Sequence, residues 1–158
     1  MRKAILLIAV LGLAGSLWAA DPIIGTWKLN FTKSRIPAAS KAANFREAVS
    51  VVREIENELI ECVSTETQKD GKTIVGKWTV PKSGGFQINQ QGGPAQGISI
   101  LRVVIDPYTT YLVHLANGKQ VFIRRVTYSQ DFKTFTLEAK GKDAKRNPVD
   151  VLLFYEKQ

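Results

Sequence analysis

Hydrophobic and polar positions alternate along almost the whole chain after residue 20. Short segments rich in β-branched and aromatic residues recur there, and each is bounded by glycine, proline, asparagine or aspartate. No stretch between them has the period of an amphipathic helix. The pattern predicts roughly ten short strands, at 26–29, 47–54, 58–67, 72–80, 86–89, 98–105, 110–116, 120–129, 132–140 and 148–156. The chain is therefore expected to be all-β.

The connections between the predicted strands are short, so neighbours in sequence are expected to pair. Lys69-Asp70-Gly71-Lys72 and Asn117-Gly118 are typical of hairpin turns, and a longer turn is expected at 141–147. Because closure removes exposed sheet edges, the pattern favours an antiparallel up-and-down meander barrel of about 8–10 strands.

Two segments interrupt the strand pattern. Residues 32–44, which contain Pro37, are expected to form a long loop over the barrel mouth with at most one or two helical turns. Residues 81–97 are rich in glycine and predict a rim loop around one short strand.

The first 20 residues have the features of a signal peptide. Arg2 and Lys3 precede an apolar run, and Ala19-Ala20 are small residues suited to cleavage. Ser16 stands where a lipoprotein would have its lipidated cysteine. The expected organisation is a signal peptide over 1–20 and one domain over 21–158, exported to the periplasm or beyond, with no stable membrane insertion after cleavage.

The mature chain remains basic. Loss of Arg2 and Lys3 lowers the formal net charge from +8 to +6. Scattered lysines on solvent-facing strand positions account for this charge, since no basic cluster alternates with aromatic residues as a nucleic-acid surface requires. No nucleic-acid partner is expected, and the oligomeric state stays open.

Residues for catalysis are scarce. Cys62 is the only cysteine, so no internal disulfide forms, and it is expected to be a small buried side chain. His114 is the only histidine and is expected to face outward or to be hydrogen-bonded. One histidine, one cysteine and dispersed carboxylates do not make a usual zinc site or catalytic triad. We expect no metal, no cofactor and no enzymatic activity.

Arginines within apolar strands are the best binding candidates, because a buried guanidinium needs a partner. Arg102 shares a face with Ile100 and Val104, and Arg53 shares one with Val51. If either face lines the cavity, its arginine could hold a carboxylate or phosphate headgroup. Outward arginines and internal ion pairs are the alternative.

Three motifs resemble those of the calycins. Gly25-x-Trp27 is similar to the signature that opens the lipocalin barrel, and residues 25–29, Gly-Thr-Trp-Lys-Leu, also open many fatty-acid-binding proteins. Residues 106–113 resemble the second lipocalin motif, and residues 121–125 resemble the strand with the third motif's arginine. Overall, the chain resembles secreted bacterial lipocalin-like proteins of uncharacterised role.

The resemblance implies a barrel that binds a small apolar or amphipathic molecule, lipid-like or fatty-acid-like, without catalysis. It implies that Gly25 and Trp27 shape the closed end, with Arg124 or Arg125 packed over Trp27 in a structural role. Leu153 replaces the arginine of the Arg-x-Tyr pair with which fatty-acid-binding proteins hold a carboxylate. The pocket residues expected on this basis are Arg53, Trp78, Arg102, Tyr111 and Arg125.

Two other classes of function remain open. An envelope interaction module would have a filled barrel, packed by Trp78, Phe86, Phe122 and Phe135, and a basic surface. A barrel enzyme would be built around His114 with Tyr108 or Tyr111.

Overall fold

The computed structural model describes residues 21, 23–56, 58–92, 98–142 and 148–158. The predicted signal peptide lies outside these residues, as do 93–97 of the glycine-rich passage and 143–147 of the last turn. In the described part of the chain no helix is long and apolar enough to cross a membrane.

Eleven strands make up the described fold. They are β1 (Gly25–Arg35), β2 (Phe45–Ile55), β3 (Leu59–Gln68), β4 (Thr73–Pro81), β5 (Gly85–Phe86), β6 (Asn89–Gly92), β7 (Ile98–Asp106), β8 (Thr109–Ala116), β9 (Lys119–Tyr128), β10 (Thr134–Lys142) and β11 (Pro148–Lys157). The all-β expectation is confirmed, and the strand count exceeds the expected number because the glycine-rich passage contains two strands instead of one.

The strands form one sheet whose order follows the sequence except at its ends. All pairs are antiparallel, and β11 pairs with β1. β5 pairs with β7, while β6 pairs with β4. Because β5 and β6 are consecutive in sequence, they bring the two ends of the sheet together. The Gln87 amide donates to Ile100 and the Ile88 amide donates to Thr79, each at 2.8 Å, so the curved sheet closes as a meander barrel.

The segment expected as a long loop is mostly ordered structure. β1 continues to Arg35, and a short 3₁₀ helix, Lys41–Asn44, leads into β2. The Ser40 hydroxyl accepts a hydrogen bond from the Ala42 amide and caps that helix. Only residues 36–40 connect the two elements. β1 is longer than expected because Asn30 and Ser34 bond to Glu156 and Phe154 of β11.

The inner face of the sheet carries one continuous core. Buried apolar side chains alternate along each long strand, and residues from all the long strands belong to the same cluster. Trp27 and Ile60 have no exposed surface. This alternation fixes which predicted site residues can reach the interior.

Candidate functional site

Aromatic side chains pack around Trp27 at one end of the barrel. Its ring centroid lies 4.8 Å from that of Phe135 and 6.0 Å from that of Tyr128. The indole nitrogen donates to the Ile23 carbonyl at 2.7 Å. Trp27 therefore belongs to an aromatic cluster, and the role of Gly25 and Trp27 in shaping a closed end stays a prediction.

A lysine, and neither expected arginine, covers Trp27. The Lys157 ammonium lies 5.1 Å from the Trp27 ring centroid, whereas the Arg124 guanidinium lies 5.4 Å from that of Phe122. The packing expected for Arg124 or Arg125 is therefore wrong. The reason is register: Lys157 pairs directly with Trp27, while Arg124 pairs with Leu112 and Ala139, away from that end.

Three of the expected pocket residues lie on the outer face. Arg53 is exposed and pairs with Glu61. Tyr111 stands between the buried Thr110 and Leu112 on β8, so it lies on the other face of the sheet. The residue paired with it on β9 is the exposed Arg125. The positions expected for Arg53, Tyr111 and Arg125 inside the pocket are therefore wrong, because period-two alternation places them opposite the buried set.

Trp78 and Arg102 lie on the inner face but in different environments. Trp78 pairs with the buried Cys62 and is itself half-buried. Arg102 is only 4% exposed and forms an ion pair with Asp21, its Nη2 lying 3.3 Å from Asp21 Oδ2. The ligand-binding roles of these two residues stay predictions.

His114 is also on the inner face, which corrects the expectation that it faces outward or is hydrogen-bonded. It has no exposed surface, and its ring stacks on Phe122 with centroids 4.2 Å apart. Neither ring nitrogen has a hydrogen-bond partner among the described residues. Burial, with a smaller contribution from the Arg124 charge, lowers the pKa of His114 to about 2, so the imidazole is neutral at physiological pH.

Arg124 is a cation deep inside the barrel without an ion pair. None of the described carboxylates lies within 4.0 Å of its guanidinium. Burial lowers its pKa, while Tyr155, Glu66 and Cys62 oppose that shift. Although surrounded by protein, Arg124 is only half-buried by surface area. Part of its side chain is therefore not covered by packed atoms.

Glu66 lies on β3, near the 3₁₀ helix. A cavity of about 560 Å³ opens there, lined by Glu66, Phe45, Ile74 and residues of the 3₁₀ helix. The Oε2 atom of Glu66 is buried and has no hydrogen-bond partner in the described part of the protein. Burial raises the pKa of Glu66, and the charges of Arg124 and Lys41 partly offset this.

The remaining interior groups are polar but not reactive. Burial raises the pKa of Cys62 to about 12, which keeps its thiol protonated. Burial also raises the pKa of Tyr155. Among the described residues, no three His, Cys, Asp or Glu side chains lie together in a group that could hold a metal ion.

The aromatic residues expected to fill a solid barrel do not pack together into one buried cluster. Phe135 is buried against Trp27, while Trp78 and Phe122 are half-buried on the inner face. Phe86 is 59% exposed. The interior around Arg124 therefore keeps accessible surface.

Sequence reasoning missed that Arg124 and Glu66 are charged side chains on the inner face without an ion pair among the described residues. Both β9 faces contain apolar residues and one arginine, so alternation alone could not separate Arg124 from Arg125. The signal that could have done so was register with β8, where Arg124 pairs with the apolar Leu112.

No family model matches this sequence, and no curated protein matches it. Among solved structures, wild-type fluorescent protein UnaG is similar with a TM-score of 0.58 and 11% identity, over 86% of this chain and 97% of that one. A point mutant of UnaG gives a TM-score of 0.59 at 11% identity, over 87% and 96% of the two chains. At this identity the likeness concerns the fold alone, an antiparallel all-β meander barrel.

Proposed function

We propose that this protein is an exported, non-catalytic carrier that binds a small amphipathic molecule with an anionic headgroup, a fatty acid or a similar carboxylate, inside the barrel. The observation that carries the proposal is Arg124, a cation inside the barrel with no carboxylate partner among the described residues. A buried charge is costly unless it is paired, and a ligand carboxylate would supply the missing partner through charge-assisted hydrogen bonds.

The surroundings of Arg124 fit such a ligand. The inner faces of the strands are largely apolar and suit a hydrocarbon chain. The cavity beside Glu66 would be the route by which the ligand enters from solvent. Leucine at position 153 means that the headgroup contact of fatty-acid-binding proteins cannot form on β11 here. Arg124 on β9 would take over that contact.

The neutral His114 supports binding over catalysis. Its lowered pKa makes it a weak base that forms no imidazolium at neutral pH, and no described carboxylate orients it. The likeness to a fluorescent protein of this fold is compatible with a barrel that holds a small molecule, but it names no ligand for this chain. Export rests on the signal-peptide features of residues 1–20.

The test is calorimetric titration of delipidated residues 21–158 with a saturated fatty acid and with the alcohol of the same chain length. A charge-assisted contact contributes about 1.5–3 kcal/mol, so the acid should bind about 10–100 times more tightly than the alcohol. Arg124→Met should abolish that difference, and the matched control Arg125→Met should keep it. Equal affinities for acid and alcohol, or no binding of either, would overturn the proposal and favour the interaction module.

A further inference from the structure

The outward side of strands β7, β8 and β9 is apolar, although it lies opposite the core. Six side chains of β5 and these three strands share this character and lie beside one another in two cross-strand rows. They are Phe86, Leu101, Val113 and Ile123 in one row, and Val103 and Tyr111 in the next. We call these six residues the β7–β9 face. Where an antiparallel sheet meets water its outward residues are ordinarily polar, so this face departs from the usual pattern.

The most exposed apolar side chains of the described residues belong to this face or border it. Four large apolar side chains in the described part of the chain are more than half exposed. Three of them, at 55–59%, are Phe86, Ile88 and Ile105, and the fourth is Val75 on β4. Ile88 follows Phe86 by two residues and Ile105 follows Val103 by two, so both extend the same apolar surface. A contiguous exposed apolar surface marks a site of interaction with a protein or a membrane.

The unpaired charges near the β7–β9 face are mostly positive. Residues 98–128 contain one carboxylate, Asp106 at the end of β7, and four Lys or Arg residues, two of which lie on the inner face. The other two cations, Lys119 and Arg125, are exposed. Neither forms an ion pair with a described carboxylate. By contrast, strands β1–β4, β10 and β11 carry ion pairs in which both signs are present.

A second copy of the chain fits this face poorly. In a two-fold dimer both partners use the same surface, so two copies of Arg125 would enter the interface. The carboxylate paired with Arg125 on β10 is that of Glu138, which already bonds to Lys140 at 2.7 Å. An apolar surface bordered by unpaired cations instead matches a partner that is apolar inside and anionic at its surface, as an anionic lipid bilayer is.

We propose that the β7–β9 face is a peripheral docking site for an anionic lipid surface. Phe86, Ile88 and Ile105 enter the boundary between headgroups and acyl chains, where apolar side chains of peripheral proteins are buried. Arg125 contacts the anionic headgroups, and the basic charge of the mature chain attracts the whole molecule to the surface. Docking needs no ligand inside the barrel, so the inference goes beyond the carrier function.

The test measures binding of delipidated residues 21–158 to vesicles by sedimentation. One set of vesicles contains phosphatidylcholine alone, and the other contains about 30% phosphatidylglycerol, whose headgroup is anionic. The protein should sediment with the anionic vesicles and much less with the neutral ones, and about 0.5 M salt should weaken the binding by screening. No binding to the anionic vesicles, or equal binding to both kinds, would overturn the proposal.

Two matched double variants locate the binding surface. Phe86→Thr/Ile105→Thr removes exposed apolar side chains at this face and should lower the partition coefficient by about tenfold or more. Val51→Thr/Val75→Thr removes exposed apolar side chains from β2 and β4 and should bind as the wild type does. Arg125→Gln should lower binding to the anionic vesicles about fivefold. Equal losses in the two double variants would contradict the proposal.

A fluorescent label keeps the test decisive if the Phe86 variant folds poorly. Cys62→Ala/Val113→Cys places one thiol on the β7–β9 face, and Cys62→Ala/Val63→Cys places one on the outward side of β3. With an environment-sensitive dye on the thiol, anionic vesicles should shift the emission of the Val113→Cys protein to the blue and leave that of the Val63→Cys protein unchanged. A shift at both positions, or at neither, would argue against docking through this face.

Sedimentation equilibrium without lipid separates the two possible occupants. The wild type should be a monomer. A dimer that Phe86→Thr/Ile105→Thr converts into a monomer would assign the face to a second copy and refute lipid docking. These measurements use phospholipid vesicles and delipidated protein, so failure of this inference is distinguishable from failure of the carrier proposal.

Discussion

Glu66 and Arg124 interact electrostatically inside the barrel but do not form an ion pair. Each appears among the charges that shift the pKa of the other, yet no oxygen of Glu66 lies within 4.0 Å of the guanidinium, and Glu66 Oε2 has no hydrogen-bond partner among the described residues. Two opposite charges in a low-dielectric interior would normally meet. Each of the two charges is therefore left without a direct partner among the described residues.

Replacing Arg124 should make the empty protein more stable while it weakens ligand binding. Arg124→Met keeps an unbranched apolar stem and removes the charge, so the free energy of unfolding should rise by about 1–2 kcal/mol, as when other buried charged groups are replaced by apolar groups. Urea denaturation of the ligand-free variant measures this. Arg125→Met is the control on the exposed face and should change stability by less than about 0.5 kcal/mol. A loss of stability in Arg124→Met would mean that the charge is already compensated.

Glu66→Gln should stabilise the protein in a pH-dependent way. Burial raises the pKa of Glu66 in the folded state, so ionisation costs more there than in the unfolded chain. This free-energy cost of ionising Glu66 is absent at pH values below its ordinary pKa and complete at pH values above its raised pKa. The variant should therefore gain stability at pH 8 and almost none at pH 4, measured by urea denaturation.

Glu138→Gln is a control for which the expected change in stability has the opposite sign. Lys140 holds the pKa of Glu138 below its ordinary value. Its stabilising contribution is therefore present above the ordinary pKa and lost as the pH falls. Glu138→Gln should lower stability slightly at pH 8. A gain for both variants at pH 8 would show that removal of a carboxylate charge, and not its burial, controls the effect.

The fold could be predicted from sequence because alternation and turn residues are local signals. The hairpin at Asn117-Gly118 lies between β8 and β9 as expected, with Asn117 and Gly118 at positive φ. The end of β1 could not be predicted, because its extension to Arg35 depends on contacts with β11, more than a hundred residues away. The splitting of the glycine-rich passage depends likewise on two different partner strands.

The candidate site could be predicted only in part. Trp78 and Arg102 lie on the inner face as expected, whereas Tyr111 does not, although β8 was predicted correctly. The strand itself is apolar on both faces, with Leu112 inward and Val113 outward, so its sequence leaves the inward face undecided. Pairing with β7 and β9 decides it. Long-range register is therefore the information that the sequence pattern lacks.

Gly25 should be less tolerant of substitution than other glycines with positive φ. Its φ is +144°, and an added Cβ would lie 2.5 Å from Lys157 Cε, which covers Trp27. Gly25→Ala should cost about 2–3 kcal/mol, since it combines backbone strain with displacement of Lys157. Gly71→Ala is the matched control, with φ +89° and open space around its Cβ. It should cost about 1 kcal/mol. Equal losses of stability for the two variants in thermal denaturation would show that the Lys157 side chain moves aside freely.

The reactivity of the Cys62 thiol should report whether reagents in solution can reach the barrel interior beside β3. Its pKa of about 12 leaves roughly one thiol in ten thousand ionised at pH 8, and its side chain is buried opposite Trp78. We expect almost no reaction of the native protein with an aromatic disulfide reagent at pH 8, and complete reaction in 8 M urea. The double variant Cys62→Ala/Val63→Cys moves the thiol by one residue to the outer face, where it should react promptly without denaturant. If native Cys62 reacted as fast as that outer thiol, the barrel would have to open on the timescale of labelling. Water would then reach Arg124 often. The proposed selectivity of Arg124 for carboxylates would be lost, because it depends on low-dielectric surroundings.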